Sequence, residues 1–487
     1  MKFYNRVSEL RELSHLNKKK PSFVVVTGKR RIGKTELIRQ FMSDNGVYFF
    51  VDDKKNEEQL VVEFLDELKS KYTMPDYAQP TNIEAFLSLL YDLSKKQSIV
   101  AVFDEFQRFM RINPSIINQF QKSWDLKNKD SNLFLIITGS SIGPIKKIFI
   151  NEQAPLFKRA DNILYLKPFS FRQIIEILND FKINNFEEQL KIYFLFGGII
   201  YYYKLMDKYD VASFDDAINL LILRELAPLN REIDDILIEE FGSSYLAYYE
   251  ILNALALGKN TKKEMGDYVH VAETSLSPYL NDLINLVSLV SYIIPPTEDI
   301  LKSKKGRYFL TDNFFLFWFK FIFRNKSYYE LNNFSIIKDK IRNELSGYFG
   351  YRFESVCREF LLESAEHNAL PFEILAIDRW WGHTRENKAR LDIEIDLVAI
   401  NAQKKYILFV ECKWQSNVDA EKLLAELKEK SKFVQWHNDK RKEHFCIIAK
   451  SFRKKLDKNK CLCFDLKDMA NAFKKQNAKQ RIFKNAK

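Results

Sequence analysis

The chain has 487 residues, of which 46% are hydrophobic and 29% are charged, a balance typical of a globular protein with two to four domains. No apolar run is long enough to span a bilayer, and the first residues lack the apolar stretch of a signal peptide, so we expect a cytoplasmic protein without membrane segments. The formal charge is +11, and the segment 450–487 holds thirteen Lys or Arg against three Asp, an excess of ten. Such a basic end suits phosphate backbones, and a solvated tail is the alternative interpretation.

The first 170 residues alternate short apolar runs with longer helical patterns. This alternation predicts a parallel α/β sheet, and we assign residues 1–170 to one domain. The predicted strands are residues 23–27, 47–51, 99–103, 133–138 and 163–166.

A phosphate-binding loop follows the first predicted strand. Its pattern is G-x-x-x-x-G-K-[ST], and its residues are Gly28, Lys29, Arg30, Arg31, Ile32, Gly33, Lys34 and Thr35. The glycines let backbone N–H groups face phosphate oxygens, and the following helix adds a favourable dipole. Lys34 is predicted to contact the β- and γ-phosphates of ATP, and Thr35 to ligate Mg²⁺. The loop therefore predicts that the chain binds and hydrolyses ATP.

Polar residues at the ends of later strands complete the predicted nucleotide site. Asp104 is predicted to hold Mg²⁺, and Glu105 to polarise the attacking water. Ser140, which follows the fourth predicted strand, could orient the γ-phosphate, and an ordinary turn is the alternative. Arg159 could approach the nucleotide of its own chain or of a neighbour in a homo-oligomer, and a solvated arginine is an equally good interpretation.

These segments resemble the P-loop ATPases of the AAA+/STAND type, in particular the prokaryotic "archaeal ATPase" family. The resemblance rests on the phosphate-binding loop and on F-Y-N-R-V-S-E-L at 3–10, F-D-E-F-Q at 103–107, I-T-G-S-S at 137–141 and L-K-P-F-S at 166–170. It implies an ATPase whose opening Arg-x-x-Glu-Leu segment lies near the adenine. The family usually carries Gly-x-Pro in its helical lid, whereas this chain has Gly197-Gly198 without a proline, so the resemblance does not extend to nucleotide sensing by the lid.

Two helical regions follow the ATPase segment. Residues 171–240 are predicted as a helical lid. Residues 241–330 show three helices and a hairpin, an order that resembles a winged helix. The exposed face of its recognition helix carries Glu273 and Asp282 and is not basic, which argues against tight DNA binding. The resemblance to the ATPase family implies instead a relay between the ATPase and its effector. The aromatic run 314–323 is predicted as a buried core helix.

A C-terminal domain is predicted at residues 340–470, after a polar linker at 331–345 and before a basic tail at 471–487. Glu411 and Lys413 share one face of a predicted strand, because they are two residues apart. A turn at 403–404 would place Asp396 opposite Glu411, with Cβ atoms about 4.5–5.5 Å apart. A divalent cation such as Mg²⁺ would relieve the repulsion between the two carboxylates, and Lys413 could position a water.

This arrangement resembles the PD-(D/E)xK nuclease superfamily, with Asp396 as the Asp, Glu411 and Lys413 as the E-x-K pair, and Glu354 as the preceding helical acid. The region including R-W-W-G at 379–382 also resembles the domain of unknown function that follows the ATPase in many members of the same family. The resemblance implies catalytic roles for these four residues and a nucleic-acid substrate. The predicted protein is a multidomain α/β ATPase coupled to a metal-dependent, nuclease-like effector. The alternative is a signalling scaffold whose C-terminal module binds nucleic acid or protein without cleavage.

Overall fold

The computed structural model describes residues 1–42, 46–74, 78–139, 142–386 and 389–474. The chain divides into two compact units. The first comprises Met1–Pro168, Ile199–Lys204 and Asn281–Ser288, and the second comprises Phe169–Gly198, Leu205–Leu280 and the described residues from Leu289. None of the helices in the described ranges combines the length and apolarity that crossing a bilayer requires.

The first unit contains a parallel sheet in the order β2-β3-β4-β1-β5, which confirms the predicted α/β architecture. Its strands are β1 (Ser22–Gly28), β2 (Gly46–Phe50), β3 (Ile99–Asp104), β4 (Leu133–Gly139) and β5 (Asn162–Leu166). Its helices are α1 (Val7–Asn17), α2 (Lys34–Met42), α3 (Glu57–Lys71), α4 (Ile83–Lys96), α5 (Phe109–Ile112), α6 (Ser115–Lys127) and α7 (Ile142–Phe149).

Every residue of β1, β3 and β4 is buried, because hydrophobic clusters cover both faces of the sheet. Burial on both faces explains why these strands are continuous apolar runs rather than alternating ones. All the strands run in one direction, so their carboxyl ends meet at one edge. Gly28, Asp104 and Gly139 end neighbouring strands at that edge, where ligands of open α/β sheets bind.

After β5 the chain is helical up to a short hairpin, as the sequence predicted. The helices are α8 (Phe171–Asp180), α9 (Phe186–Phe196), α10 (Ile200–Lys208), α11 (Phe214–Leu221), α12 (Glu232–Phe241), α13 (Tyr245–Ala256), α14 (Lys262–Val269) and α15 (Leu276–Asn285). Strands β6 (Val290–Ile293) and β7 (Arg307–Leu310) pair antiparallel. Thr261 and Glu264 form a reciprocal capping box that begins α14.

The aromatic run is buried, as predicted, but it is not one regular helix. Helix α16 (Asn313–Phe317) continues into a single π-helical turn at Trp318–Ile322, and α17 (Lys326–Glu330) follows. Such turns are rare and often occur at functional sites.

The predicted polar linker at 331–345 was wrong, because helix α18 (Phe334–Glu366) runs through most of this segment. The helix runs through the polar segment because Ile337 and Ile341, four residues apart, bury one side of it while the polar residues face water. Further along, the Glu359 carboxylate accepts hydrogen bonds of 3.1 and 3.2 Å from the backbone N–H groups of Phe171 and Arg172, and so caps α8.

The C-terminal region contains a mixed sheet in the order β14-β12-β10-β9-β8. Its elements are β8 (Ala376–Glu386), β9 (Ala389–Asn401), β10 (Tyr406–Lys413), α19 (Ala420–Ser431), β12 (Lys442–Ala449) and β14 (Leu462–Phe464), and β11 (Val418–Asp419) pairs separately with β13 (Phe452–Lys454). The predicted hairpin, helix and following strand are present, and β8 was missed.

The predicted tail begins inside the folded structure. Residues 466–474 are helical, and Phe473 is fully buried against Phe171, Phe186 and Phe360. A start at residue 471 was therefore wrong, because the apolar anchor lies within a basic stretch. The remaining part of the predicted tail, 475–487, lies outside the described residues.

Candidate functional site

The phosphate-binding loop joins β1 to α2 in a conformation that requires glycine. Gly28 has φ 152°, and a Cβ atom there would lie 2.6 Å from the carbonyl oxygen of Leu166. Gly33 has φ 93°, which is strained for any residue with a side chain. The two glycines of the motif are therefore required by backbone geometry.

Lys34 begins α2 and is buried, with 8% of its surface exposed. Its ammonium donates hydrogen bonds of 3.0 Å to the carbonyl oxygens of Gly28 and Lys29. Those carbonyls hold the ammonium inside the curve of the loop, where a bound phosphate would meet it. Ile32 belongs to the apolar core beneath the loop.

Tyr48, which sequence reasoning missed, connects the two predicted magnesium ligands. Its hydroxyl hydrogen-bonds to the Asp104 carboxylate, and the Thr35 side chain lies close enough to interact with the same hydroxyl. Thr35 and Asp104 therefore converge on one point. Burial raises the pKa of Asp104, so its charged form lacks full compensation. A convergent hydroxyl and a poorly compensated carboxylate fit an oxygen-liganded Mg²⁺ ion.

Glu105 follows β3 in the left-handed region, at φ 56°. This conformation is uncommon outside glycine and is often found at functional sites. The side-chain amide of Gln107 donates a hydrogen bond of 2.6 Å to the Glu105 carboxylate. The Glu105 side chain is thus held in place beside Asp104.

A cavity of 370 Å³ brings most of the predicted nucleotide residues together. The predicted residues that line it are Arg30, Arg31, Gly33, Lys34, Thr35, Asp104 and Glu105. The lining residues that were missed are Glu36, Arg39, Ile200, Tyr201 and Lys204.

Helix α10 supplies the missed residues that the sequence could have revealed. Ile200, Tyr201 and Lys204 follow the glycine pair at 197–198 within one helical turn. The Arg31 guanidinium lies 4.3 Å from the centre of the Tyr201 ring, and Lys204 pairs with Glu36 at 2.7 Å. The segment after the glycine pair therefore contributes an aromatic surface and a cation, although it lacks the proline of the family pattern.

Arg6 anchors the opening segment to the phosphate-binding loop. Its guanidinium donates hydrogen bonds of 2.8 Å to the carbonyl of Lys167 and 3.3 Å to that of Ile32, and pairs with Glu9 at 3.0 Å. Arg6 is buried. The Arg-x-x-Glu pattern thus fixes the start of the chain against the loop.

Four predicted nucleotide residues that the structure describes do not line the cavity: Gly28, Lys29, Ile32 and Arg159. Arg159 pairs with Asp125 at 3.1 Å and donates to the carbonyl of Phe157, so its guanidinium is directed elsewhere in its own chain. A contact with a neighbouring chain's nucleotide stays a prediction. Ser140 lies outside the described residues.

The hairpin register in the C-terminal sheet is the predicted one. Tyr406 pairs with Asn401 and Val410 with Leu397, so the next facing positions are Asp396 and Glu411. The β8–β9 ladder shifts at the same place, because Asp378 pairs with Val398 and Trp380 with Ile395. Asp396 therefore lies in a bulge opposite Arg379, a device that redirects side chains next to active sites.

Each acid of the predicted C-terminal site has a local partner. Asp396 accepts a hydrogen bond of 2.7 Å from the Cys412 backbone N–H. Glu411 is buried and pairs with Lys413 at 2.6 Å and with Lys430, from α19, at 3.0 Å. Lys430 was missed, because the sequence motif does not extend to the helix that follows it.

Glu354 lies on α18 and pairs with Arg379 at 2.7 Å. Burial raises the pKa of Glu354 to about 8, which the Arg379 charge partly offsets. Burial and the nearby Glu411 charge raise the pKa of Asp396 to about 6. In the parts of the chain that the structure describes, no three His, Cys, Asp or Glu side chains are grouped as ligands of one metal ion. Asp396 and Glu411 therefore form a pair with Glu354 nearby, and the three acids are not preassembled as ligands of one metal ion.

Two family models and a nearly full-length relative match this chain. A family model described as an ATPase domain predominantly from Archaea matches residues 3–205, and one described as archaeal and bacterial proteins of unknown function matches residues 318–423. An uncharacterized protein of Methanocaldococcus jannaschii is 34% identical over 477 residues, which are 96% of this chain and 100% of that protein. A second protein of that organism is 44% identical over 52 residues, which are 11% of this chain and 50% of that protein.

Among solved structures, the Walker-type ATPase of Pyrococcus abyssi superposes with a TM-score of 0.52 at 20% identity, covering 65% of this chain and 96% of that one. At that identity the likeness shows a shared P-loop ATPase fold.

Proposed function

Because this chain belongs to the family of archaeal-type ATPases that carry a C-terminal domain of unknown function, we propose that its first unit binds ATP with Mg²⁺ in the phosphate-binding cavity and hydrolyses it. The observation that carries this proposal is the cavity itself, where the Lys34 ammonium, the Thr35–Asp104 pair and the Glu105 carboxylate meet.

Each residue has a defined role in this proposal. Lys34 exchanges its carbonyl partners for the β- and γ-phosphate oxygens. Thr35 and Asp104 would hold Mg²⁺, which would supply positive charge against the phosphates. Glu105 accepts a proton from the attacking water as the water oxygen bonds to the γ-phosphorus. The bond from that phosphorus to the bridging β–γ oxygen breaks in line, and ADP is the leaving group. Lys204 and Arg39 add positive charge at the cavity wall.

ATP binding and turnover by the full chain test the proposal. Lys34→Ala removes the charge inside the loop and should abolish high-affinity binding, hydrolysis or both. Lys29→Ala is the matched control, because its side chain belongs to the same loop but does not line the cavity. Equal binding and hydrolysis by wild type and Lys34→Ala would exclude this site.

We also propose that the C-terminal site acts on nucleic acid. This second candidate rests on Glu411, a buried carboxylate held between the ammonium groups of Lys413 and Lys430 and facing Asp396 in the ladder. A divalent cation would compensate the charge that the two ammonium groups now compensate, and the two carboxylates supply oxygen ligands of the kind that Mg²⁺ prefers. The ion would polarise a phosphodiester, Lys413 would orient a water, and Glu354 would support the site from α18.

The alternative for this module is binding without cleavage, as part of a cytoplasmic signalling scaffold. The three helices and hairpin within 241–330 would then act as a winged-helix-like relay, and Arg159 would reach the nucleotide of a neighbour in a homo-oligomer. Incubation of the full chain with single-stranded DNA, duplex DNA and RNA, with and without ATP and Mg²⁺, distinguishes the two. Retarded but intact nucleic acid favours the scaffold.

A further inference from the structure

A second cavity, of 310 Å³, lies wholly within the second unit. Three elements surround it: the end of α13 with the turn after it, the segment containing the π-helical turn, and α18. Its volume is at the lower end of the range for small-molecule sites. The cavity shares no lining residue with the nucleotide pocket, and the ATPase reaction does not use it.

The walls of the cavity are mainly apolar and aromatic. Leu316, Lys320 and Arg324 follow one another at four-residue spacing along one wall, and Leu257 lies at the end of α13. Tyr348 contributes from α18, and its hydroxyl hydrogen-bonds to the carbonyls of Phe194 and Asn313, at 2.7 and 3.1 Å. The Tyr348 ring is therefore fixed as a wall.

The charges around the cavity do not cancel. Arg324 and Glu344 pair with each other at 3.4 Å, and each is nearly half exposed, so this pair is screened by water. Lys320 forms no ion pair with any residue that the structure describes. Burial also lowers the pKa of Lys320, and the charge of Glu344 offsets this effect only in part. The lining thus carries one more positive charge than negative charge among apolar walls.

We propose that this cavity is a binding site for a small organic monoanion, a carboxylate carried on a flat apolar body. The Lys320 ammonium pairs with the anionic group, and Leu257, Leu316 and the tyrosine rings enclose the apolar part. A neutral ligand would leave the Lys320 charge uncompensated, and a dianion would bring a second charge with no free partner on the walls.

The position of the site suits an effector. Tyr351 lines the cavity, and the Arg379 guanidinium lies 4.1 Å from the centre of its ring. Arg379 is the ion-pair partner of Glu354. A ligand that displaces Tyr351 would therefore also affect Arg379, and through Arg379 its ion-pair partner Glu354.

The test uses 8-anilinonaphthalene-1-sulfonate, a flat aromatic monoanion whose fluorescence rises on burial, titrated into the full chain, with benzoate as a competing carboxylate. The wild type should show one saturable site that benzoate empties. Lys320→Met should weaken binding at least tenfold, because it removes a charge-assisted contact. Leu257→Trp should also weaken binding, since it fills the cavity without changing its charge. Lys326→Met, an exposed lysine outside the lining, is the matched control.

Three results would overturn the proposal: wild-type affinity in both Lys320→Met and Leu257→Trp, an equal loss in Lys326→Met, or probe fluorescence that never saturates. Thermal melting of each variant identifies misfolding. If Lys320→Met does not fold, Leu257→Trp and benzoate competition decide, because neither changes the lysine. Failure of these tests leaves the ATPase proposal unaffected, since the two cavities share no residue.

Discussion

The side-chain amide of Gln107 lies 2.6 Å from the carboxylate of Glu105, which itself has a left-handed backbone. A Cβ atom on Gly139 would lie 2.3 Å from the Gln107 Oε1 atom, so the amide fills the space beside the end of β4. Gln107 is thus a positioning residue that connects the proposed general base to the neighbouring strand.

Replacing Gln107 with Leu should lower the rate of ATP hydrolysis about tenfold while leaving the affinity for ATP nearly unchanged. The reason is that the glutamate loses its orienting hydrogen bond, whereas the phosphate contacts remain. Separate measurement of kcat and of nucleotide affinity checks this. A rise in KM with unchanged kcat would contradict the positioning role.

Glu105→Gln should retain ATP and slow its hydrolysis by about 10²–10⁴-fold, the range for loss of a general base. The amide keeps the shape of the side chain and can no longer accept the proton. A filter-binding assay with single-turnover kinetics separates the two effects. Normal turnover of the bound nucleotide would remove Glu105 from this role.

Asp396→Ala should abolish Mn²⁺ binding by the C-terminal site, because it removes one of the two facing carboxylates. Lys413→Ala should keep most of the metal affinity and lose any phosphodiester cleavage. Calorimetric titration of Mn²⁺ on a chain that also carries Lys34→Ala isolates this site from the nucleotide pocket. The exposed acid Asp392, on the same strand, gives the matched control Asp392→Ala. Undiminished Mn²⁺ binding in Asp396→Ala would reject the paired-carboxylate site.

Removal of residues 475–487 deletes five of the cations at the basic end and keeps Phe473 in the core. If this segment contacts phosphates, its removal should lower the affinity for nucleic acid. The slope of log affinity against log salt concentration should also become shallower, by roughly 0.7–0.9 for each lost phosphate contact. Gel retardation at several salt concentrations measures the slope. A cut at residue 471 is unsuitable, since it also removes the Phe473 anchor.

The pKa of Glu363 is raised to about 7, mainly by burial, although Arg172 lies 3.5 Å away. When the pKa of an acid is higher in the folded protein than in the unfolded chain, protonation of that acid stabilises the folded state. Its contribution is complete below pH about 4.5, and is lost as the pH rises toward 7. In the Glu363→Gln variant, the free energy of unfolding should therefore fall less across this pH range than in the wild type. Urea unfolding of both proteins at pH 5 and pH 7 measures the difference, and identical pH dependence would contradict the assignment.

The sequence predicted features that depend on local patterns. The buried run ending in Asp104 marked the edge of the sheet where its strands end. The polar break at 401–405 is the single place where the hairpin can turn, and the position of the turn determines which residues of β9 and β10 pair. Tyr48 was not predicted, since its hydroxyl meets Asp104 only when β2 and β3 pair. Lys430 reaches Glu411 only after α19 packs on the sheet. Contacts of this kind depend on tertiary packing, which has no periodic signal.

Helix α18 is continuous over 33 residues, about 50 Å, and carries Tyr351, Glu354 and Glu359 in succession. The family match at 318–423 begins before this helix and stops within α19, so it omits β12 and β14, which complete the sheet. A fragment with the bounds of this match would keep α18 whole and leave the sheet without β12 and β14. A fragment meant to hold the C-terminal sheet intact must therefore extend past residue 423 and include β14 (Leu462–Phe464).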